Sequence, residues 1–222
     1  MTDDDGARDT AVRERDGATA DAIMDAAEAL FAGQGFTATT IKQIGAAADA
    51  NPALIYYYFG SKEGLYRALL DRVFGQIVRT GQARLHDAAS PAEAVRALLG
   101  AQSEVMQQRP SLPRLLMREL ADHGAAHAQQ GIATLSATLF SRLRGLIEQG
   151  QRTGVFRAEM DPGFAAVSTV SLIPFFHIAR PAVSLLLRGE AGGPTPEQVR
   201  DYARHAADYA LAALTTRGRE EG

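Results

Sequence analysis

Between Thr39 and Glu63 the chain reads TTIKQIGAAADANPALIYYYFGSKE. Two short helical segments are expected here, joined by about four residues. Thr39 or Thr40 can cap the first, which runs to about Ala47, because a threonine oxygen accepts from an otherwise unpaired N–H of the first turn. Ala48 to Asn51 connects it to a second, Pro52 to about Tyr58. Proline suits the opening turn, where its missing N–H costs nothing. Gly60 breaks the second helix and Ser61 caps a third that lasts to about Ala89. Ile41, Ile44, Ala47, Ile55 and Phe59 are spaced to bury one face of the pair. Lys42, Gln43, Asn51, Ala53, Leu54 and Tyr57 are then left on or near the other. This is the outline of a helix-turn-helix, in which one helix braces a second that fits the major groove of B-DNA.

Outward from this stretch the chain stays helical. A helix from about Thr19 to Ala32 carries an apolar stripe of Ile23, Ala26, Ala27, Leu30 and Phe31 at three-four spacing, and Gly33 and Gly35 end it. Later helices are expected at about 91–108, 111–122, 125–152, 162–179 and 195–216, with Arg180-Pro181 bending or breaking the chain. Alternating strand-like runs and fixed-period repeats are missing, so the expected class is all-α with about nine helices. Residues 1–15 read as a flexible charged arm and 217–222 as a polar tail. Arg8, Arg13 and Arg15 are read as solvated, a minor-groove arm being the alternative.

Composition narrows the chemistry. The 222 residues include no cysteine, which excludes a disulfide scaffold, a thiolate nucleophile and a Cys-ligated metal. The longest nearly uncharged apolar stretch, Phe164 to Ala179, is short of the roughly 20 residues a spanning helix needs. The first residues lack the apolar core of a secretion signal, so no membrane association and a cytoplasmic location are expected. There is no Gly-rich phosphate loop, nucleophile elbow or carboxylate pair in context, and neither catalytic residues nor a cofactor are expected. Of the 23 basic residues only two are lysines, Lys42 and Lys62, both inside the helix-turn-helix region. Residues 1–70 nevertheless hold eleven acidic groups against six basic ones, a balance of −5, where a DNA-binding footprint is ordinarily positive.

The stretch Ala22 to Leu70 resembles the DNA-binding domain of the TetR family of bacterial transcriptional regulators. The resemblance lies in Leu30-Phe31 closing the first helix, the Gly35-Phe36 turn, Thr40-Ile41 opening the second, Ile55-Tyr56-Tyr57-Tyr58-Phe59, and Ser61-Lys62-Glu63. It implies an all-α, Ω-shaped homodimer on a palindromic double-stranded operator. The implied division is a DNA-binding domain over 16–65 and a ligand-sensing, dimerising domain over 66–216. Carried over position by position, it implies that Thr40, Lys42, Gln43, Tyr56, Tyr57 and Lys62 contact phosphate or base edges, and that Asn51, Pro52, Ala53 and Leu54 face bases. The family's usual Ala-Gly-Val turn is here Ala48-Asp49-Ala50; aspartate tolerates the positive φ that glycine favours. Gly45 lies inside the second helix, where glycine costs about 1 kcal/mol relative to alanine, so a somewhat softer domain is expected.

In the remaining chain, Leu115, Met117, Arg118, Phe140, Phe176 and His177 are candidates for contact with an unknown small-molecule effector. The last two helices are expected to form the dimer interface, through Val167, Val170, Leu172, Phe176 and an alanine stripe from Ala203 to Ala213. His123 and His127 have the spacing of two metal ligands on a helix. Gly124 interrupts them and no third ligand is evident, so the segment reads as an inter-helix turn and no metal is expected. The competing functional reading is an all-α small-molecule-binding or structural dimer without specific DNA binding.

Overall fold

The computed structural model describes the backbone of residues 3–188 and 193–215, and side chains over 16–187 and 193–215. The described residues form helices and no strand; one isolated antiparallel bridge pairs Phe156 with Thr215. The helices are α1 (Asp3–Ala38), α2 (Ile41–Ala47), α3 (Pro52–Phe59), α4 (Lys62–His86), α5 (Pro91–Gln108), α6 (Leu112–His123), α7 (129–152), α8 (Pro162–Ile178), α9 (Arg180–Arg188) and α10 (Pro196–Leu214). Within α7 a π-helical turn, Ser136–Phe140, joins Gln129–Leu135 to Ser141–Arg152.

Three boundaries differ from the sequence expectation. Helical backbone begins at Asp3, over most of the stretch expected as a flexible arm, and continues past Gly33 to Ala38 with a break at Gly35 (φ 87°, ψ 168°). Helix α7 starts at Gln129 rather than about Ala125, because Gly124 and Ala125 both take positive φ (56° and 66°) and end α6 first. The additional helix, α9, follows the break at Ala179, across which the chain bends by 85°.

The chain forms two compact units, Met1–Val73 with Arg114–Gln129, and Phe74–Pro113 with Gln130–Gly222. The expected division at 65/66 therefore assigned 114–129 to the other half. In the first unit the core comprises Ile23, Ala27, Phe31, Ile44, Ile55, Leu65, Tyr66 and Leu69, all 1% exposed or less. Phe31 meets Tyr66 edge-on at 4.9 Å and Phe36 lies 5.0 Å from the same ring. Each fully buried aliphatic or aromatic side chain here contributes about 1.5–3 kcal/mol. In the second unit α5 packs on α7, α8 and α10, burying Val95, Leu99, Leu143, Ile147, Ala166 and Ile173. A smaller cluster of Phe176, Val183 and Val199 packs with Tyr202.

Candidate nucleic-acid interface

The helix-turn-helix is built from caps. Thr40 is the N-cap of α2 in a complete capping box. Its side chain accepts from the Gln43 N–H at 3.2 Å, and the Gln43 side chain accepts from the Thr40 N–H at 2.8 Å. Asn51 is the N-cap of α3, its Oδ1 accepting from the Ala53 N–H at 2.9 Å. That engages one lone pair of Oδ1 and leaves the amino group free, so Asn51 is better placed to donate to an acceptor than to make the donor-plus-acceptor pair that reads adenine.

The turn depends on two residues. Asp49 takes φ 49°, the left-handed conformation foreseen for it. Gly45 has a role that the sequence did not disclose. The Ala50 N–H donates to its carbonyl at 2.9 Å, and a β-carbon at Gly45 would lie 2.9 Å from the Ala50 carbonyl oxygen and 3.2 Å from Pro52. Glycine is there because the turn folds back against α2, so the softness expected from helix propensity is not its consequence.

Ile44 and Ile55 are fully buried, Ile41 and Phe59 half-buried, and Ala47 is exposed rather than buried. Thr40, Lys42, Gln43, Asn51, Pro52 and Ala53 are exposed, Leu54 is half-buried, and Tyr56 and Tyr57 are 54% and 75% exposed. Tyr58 is occupied: its hydroxyl donates to the Asp16 carboxylate at 3.0 Å. Lys62 is occupied as well. Its ammonium donates to the carbonyls of Phe36 and Thr39, both at 2.9 Å, and lies 4.4 Å from the centre of the Phe36 ring. It ties the end of α1 to the start of α2, a role absent from its motif.

The acidity of the first 70 residues is partly neutralised within the unit. Arg72 on α4 lies 2.6 Å from Asp25, 3.5 Å from Asp21 and 3.7 Å from Glu28. The side chains of Arg8, Arg13 and Arg15, and residues 217–222, lie outside the described residues.

The candidate effector residues are dispersed. Leu115 is fully buried and Met117 43% exposed, while Arg118 donates to the carbonyls of Ala32 and Gly33 at 3.2 and 2.9 Å, closing the end of α1. These three belong to the first unit. In the second, Phe140 ends the π-helical turn, and Phe176 stacks on Tyr202 with ring centres 3.9 Å apart. His177 is buried, its Nδ1 has no hydrogen-bond partner, and burial, with Arg180 adding to it, pushes its pKa down to about 4. A surface groove of about 490 Å³ between α5 and α10 is lined by Ser103, Glu104, Gln107, Arg200 and Arg204, and by none of the six candidates.

Part of the alanine stripe of α10 is covered by the chain itself: Ala206, Ala207 and Ala210 are buried, as is Phe176, while Ala203 is half-buried and Ala212 and Ala213 are exposed. Leu185, Leu186 and Leu187 of α9 are exposed. Large apolar side chains are also left in water on its two neighbours, Phe164, Val167 and Phe175 of α8 and Tyr209 of α10. Tyr209 and Ser168 flank a narrow groove between these helices.

His123 and His127 acquire a third neighbour. Glu119, 1% exposed, accepts from the His127 N–H at 2.7 Å and lies 3.2 Å from His127 Nδ1. The spacing of eight residues hid this contact, because it depends on the left-handed turn at Gly124 and Ala125.

A capped helix pair presenting exposed polar and aromatic side chains, joined in sequence to a larger helical unit, defines a helix-turn-helix DNA-binding regulator. The family model for bacterial regulatory proteins of the tetR family matches residues 23–69, and a Tetracyclin repressor-like C-terminal domain model matches 91–209. The chain belongs to the TetR family and is a ligand-responsive, DNA-binding transcriptional regulator. It is 31% identical to the HTH-type transcriptional repressor NicS of Pseudomonas putida, over 88% of this chain and 92% of that one. It is 27% identical to the repressor KstR2 of Rhodococcus jostii, over 63% and 68%. In fold it matches a transcriptional regulator of Saccharomonospora viridis solved with choline (TM-score 0.70, 20% identity, 89% and 98% covered). The reading without DNA binding is not favoured by these relatives. No single helix among the described residues is long and apolar enough to cross a membrane.

Proposed function

We infer that the protein is a repressor, acting without catalysis in the cytoplasm, whose homodimer holds a palindromic operator until a small molecule binds the second unit. The observation that carries this reading is the capped α2–α3 pair with Lys42, Gln43, Tyr56 and Tyr57 exposed. Thr40 sits where backbone N–H groups at the start of α2 favour a phosphate. Lys42, Gln43 and the two tyrosines hold the duplex in register. Pro52, Ala53 and Leu54 offer apolar contact to thymine methyls, and Asn51 donates to an acceptor. With so few base-edge hydrogen bonds available, sequence-dependent DNA shape carries much of the specificity. Lys62 acts mainly by holding α1 against α2, with one donor left for a phosphate.

Dimerisation runs through α8 and α10, with Phe164, Val167, Phe175 and Tyr209 as the apolar contacts. Release follows from differential affinity: the effector binds better to the state whose two recognition helices do not match the half-sites. The test is fluorescence anisotropy on the DNA upstream of the protein's own gene, at two salt concentrations, with Lys42→Ala and Tyr57→Ala beside the parent. Binding that weakens with salt and falls in both variants supports the reading. Unchanged binding in both would overturn the assignment of the α2–α3 face.

A further inference from the structure

We propose that Glu119, His123 and His127 form a binding site for a divalent transition-metal cation of the zinc class, within the unit that carries the helix-turn-helix. One ligand atom from each of the three side chains lies within 4.8 Å of the other two. In a tetrahedral zinc site, donors about 2.0–2.2 Å from the ion lie about 3.4 Å apart, and the 3.2 Å between Glu119 Oε2 and His127 Nδ1 matches that spacing. His123, with a ligand atom within 4.8 Å of the other two, is the third ligand once its ring closes on the pair. Two imidazoles and one carboxylate are the donor set this class of ion prefers, and three protein ligands leave a fourth position for water.

The surroundings support an ion more than a simple hydrogen-bonded turn. Glu119 is buried, and among the described residues its only ionic partner is His127. The neighbouring Arg118 is committed to the carbonyls of Ala32 and Gly33. A buried carboxylate is costly unless its charge is compensated, and a dication compensates it directly. The ring nitrogens of His123 make no hydrogen bond among the described residues; its ring meets Phe36, Tyr66 and His127 edge-on. The Tyr66 ring, 1% exposed, packs edge-on against both histidines and walls the cluster from the core. Ala125 holds a left-handed conformation (φ 66°) that costs a non-glycine residue of order 1 kcal/mol. That turn returns His127 to Glu119. Phe36, against both histidines, is also the residue whose carbonyl Lys62 holds, so an ion here stiffens the junction of α1 and α2.

The test uses the full chain stripped with chelator and titrated with cobalt(II), followed by visible absorption, with zinc(II) as competitor. Melting temperature is read in parallel. The variants are His123→Ala and His123→Gln, which leave the Glu119–His127 contact intact, and His205→Ala as an exposed control. Saturation at one cobalt per chain with tetrahedral absorption bands, displaced by zinc, is expected, with a metal-dependent rise in melting temperature. Both His123 variants are expected to bind at least about tenfold more weakly and to lose the rise; His205→Ala keeps both. Absence of saturable binding overturns the site. So does unchanged affinity in a His123 variant whose metal-free melting matches the parent.

Discussion

The ammonium of Lys62 hydrogen-bonds the carbonyl of Phe36 at 2.9 Å while resting 4.4 Å from the centre of that residue's ring. With the second bond, to Thr39, it satisfies carbonyls at the end of α1 and in the connection to α2. Hydrogen bonds to a charged donor contribute about 1.5–3 kcal/mol. Lys62→Ala is therefore expected to lower unfolding stability by about 2 kcal/mol, read from the urea midpoint. A pure phosphate contact would leave stability unchanged and reduce the salt slope of DNA binding by about one.

Gly45→Ala tests the close approach of the turn. In an open helix interior this replacement stabilises by about 1 kcal/mol. At Gly45 the added β-carbon meets the Ala50 carbonyl, a backbone atom that cannot rotate away, and a loss of about 1–3 kcal/mol is expected. Gly100→Ala, on an exposed face of α5 with nothing within 4 Å, is expected to raise the melting temperature instead.

The motif stretch was legible because its information is local. The capping threonine, the Asn51-Pro52 pair, Gly60 and Ser61 each act on neighbours a few residues away. Roles resting on distant contacts were not legible. Lys62 reaches carbonyls 23 and 26 residues earlier, and Arg118 reaches carbonyls 85 and 86 residues earlier. The alanine stripe of α10 suggests a partner chain, whereas several of its members pack inside the chain itself; spacing defines a stripe and not what covers it.

His177 makes stability pH-dependent in a defined window. Its folded pKa, about 4, lies below the ordinary 6.5. As pH falls, the unfolded chain takes up this proton first. The contribution is complete above about pH 6.5 and is lost progressively towards about pH 4. A shift of this size corresponds to about 3 kcal/mol. Thermal melts across that range are expected to show the parent losing stability relative to His177→Leu as the pH falls; a constant difference would show that the imidazole does not titrate there.

Phe175 is 67% exposed on α8, within the face proposed above for dimerisation. Phe175→Glu is expected to shift the sedimentation of the protein from dimer to monomer with little change in far-ultraviolet circular dichroism. A variant that remains dimeric at micromolar concentration would move the interface elsewhere.

The first compact unit is not contiguous along the chain. The family match for DNA binding spans 23–69, yet the segment 114–129 supplies the arginine that closes α1 and the carboxylate beside Tyr66. A fragment cut after Val73 would bare the Tyr66 ring and leave the carbonyls of Ala32 and Gly33 without their guanidinium. The reading head is therefore expected to lose stability when excised after Val73, and a swap between regulators to be better tolerated when the tip of α6 is carried with it.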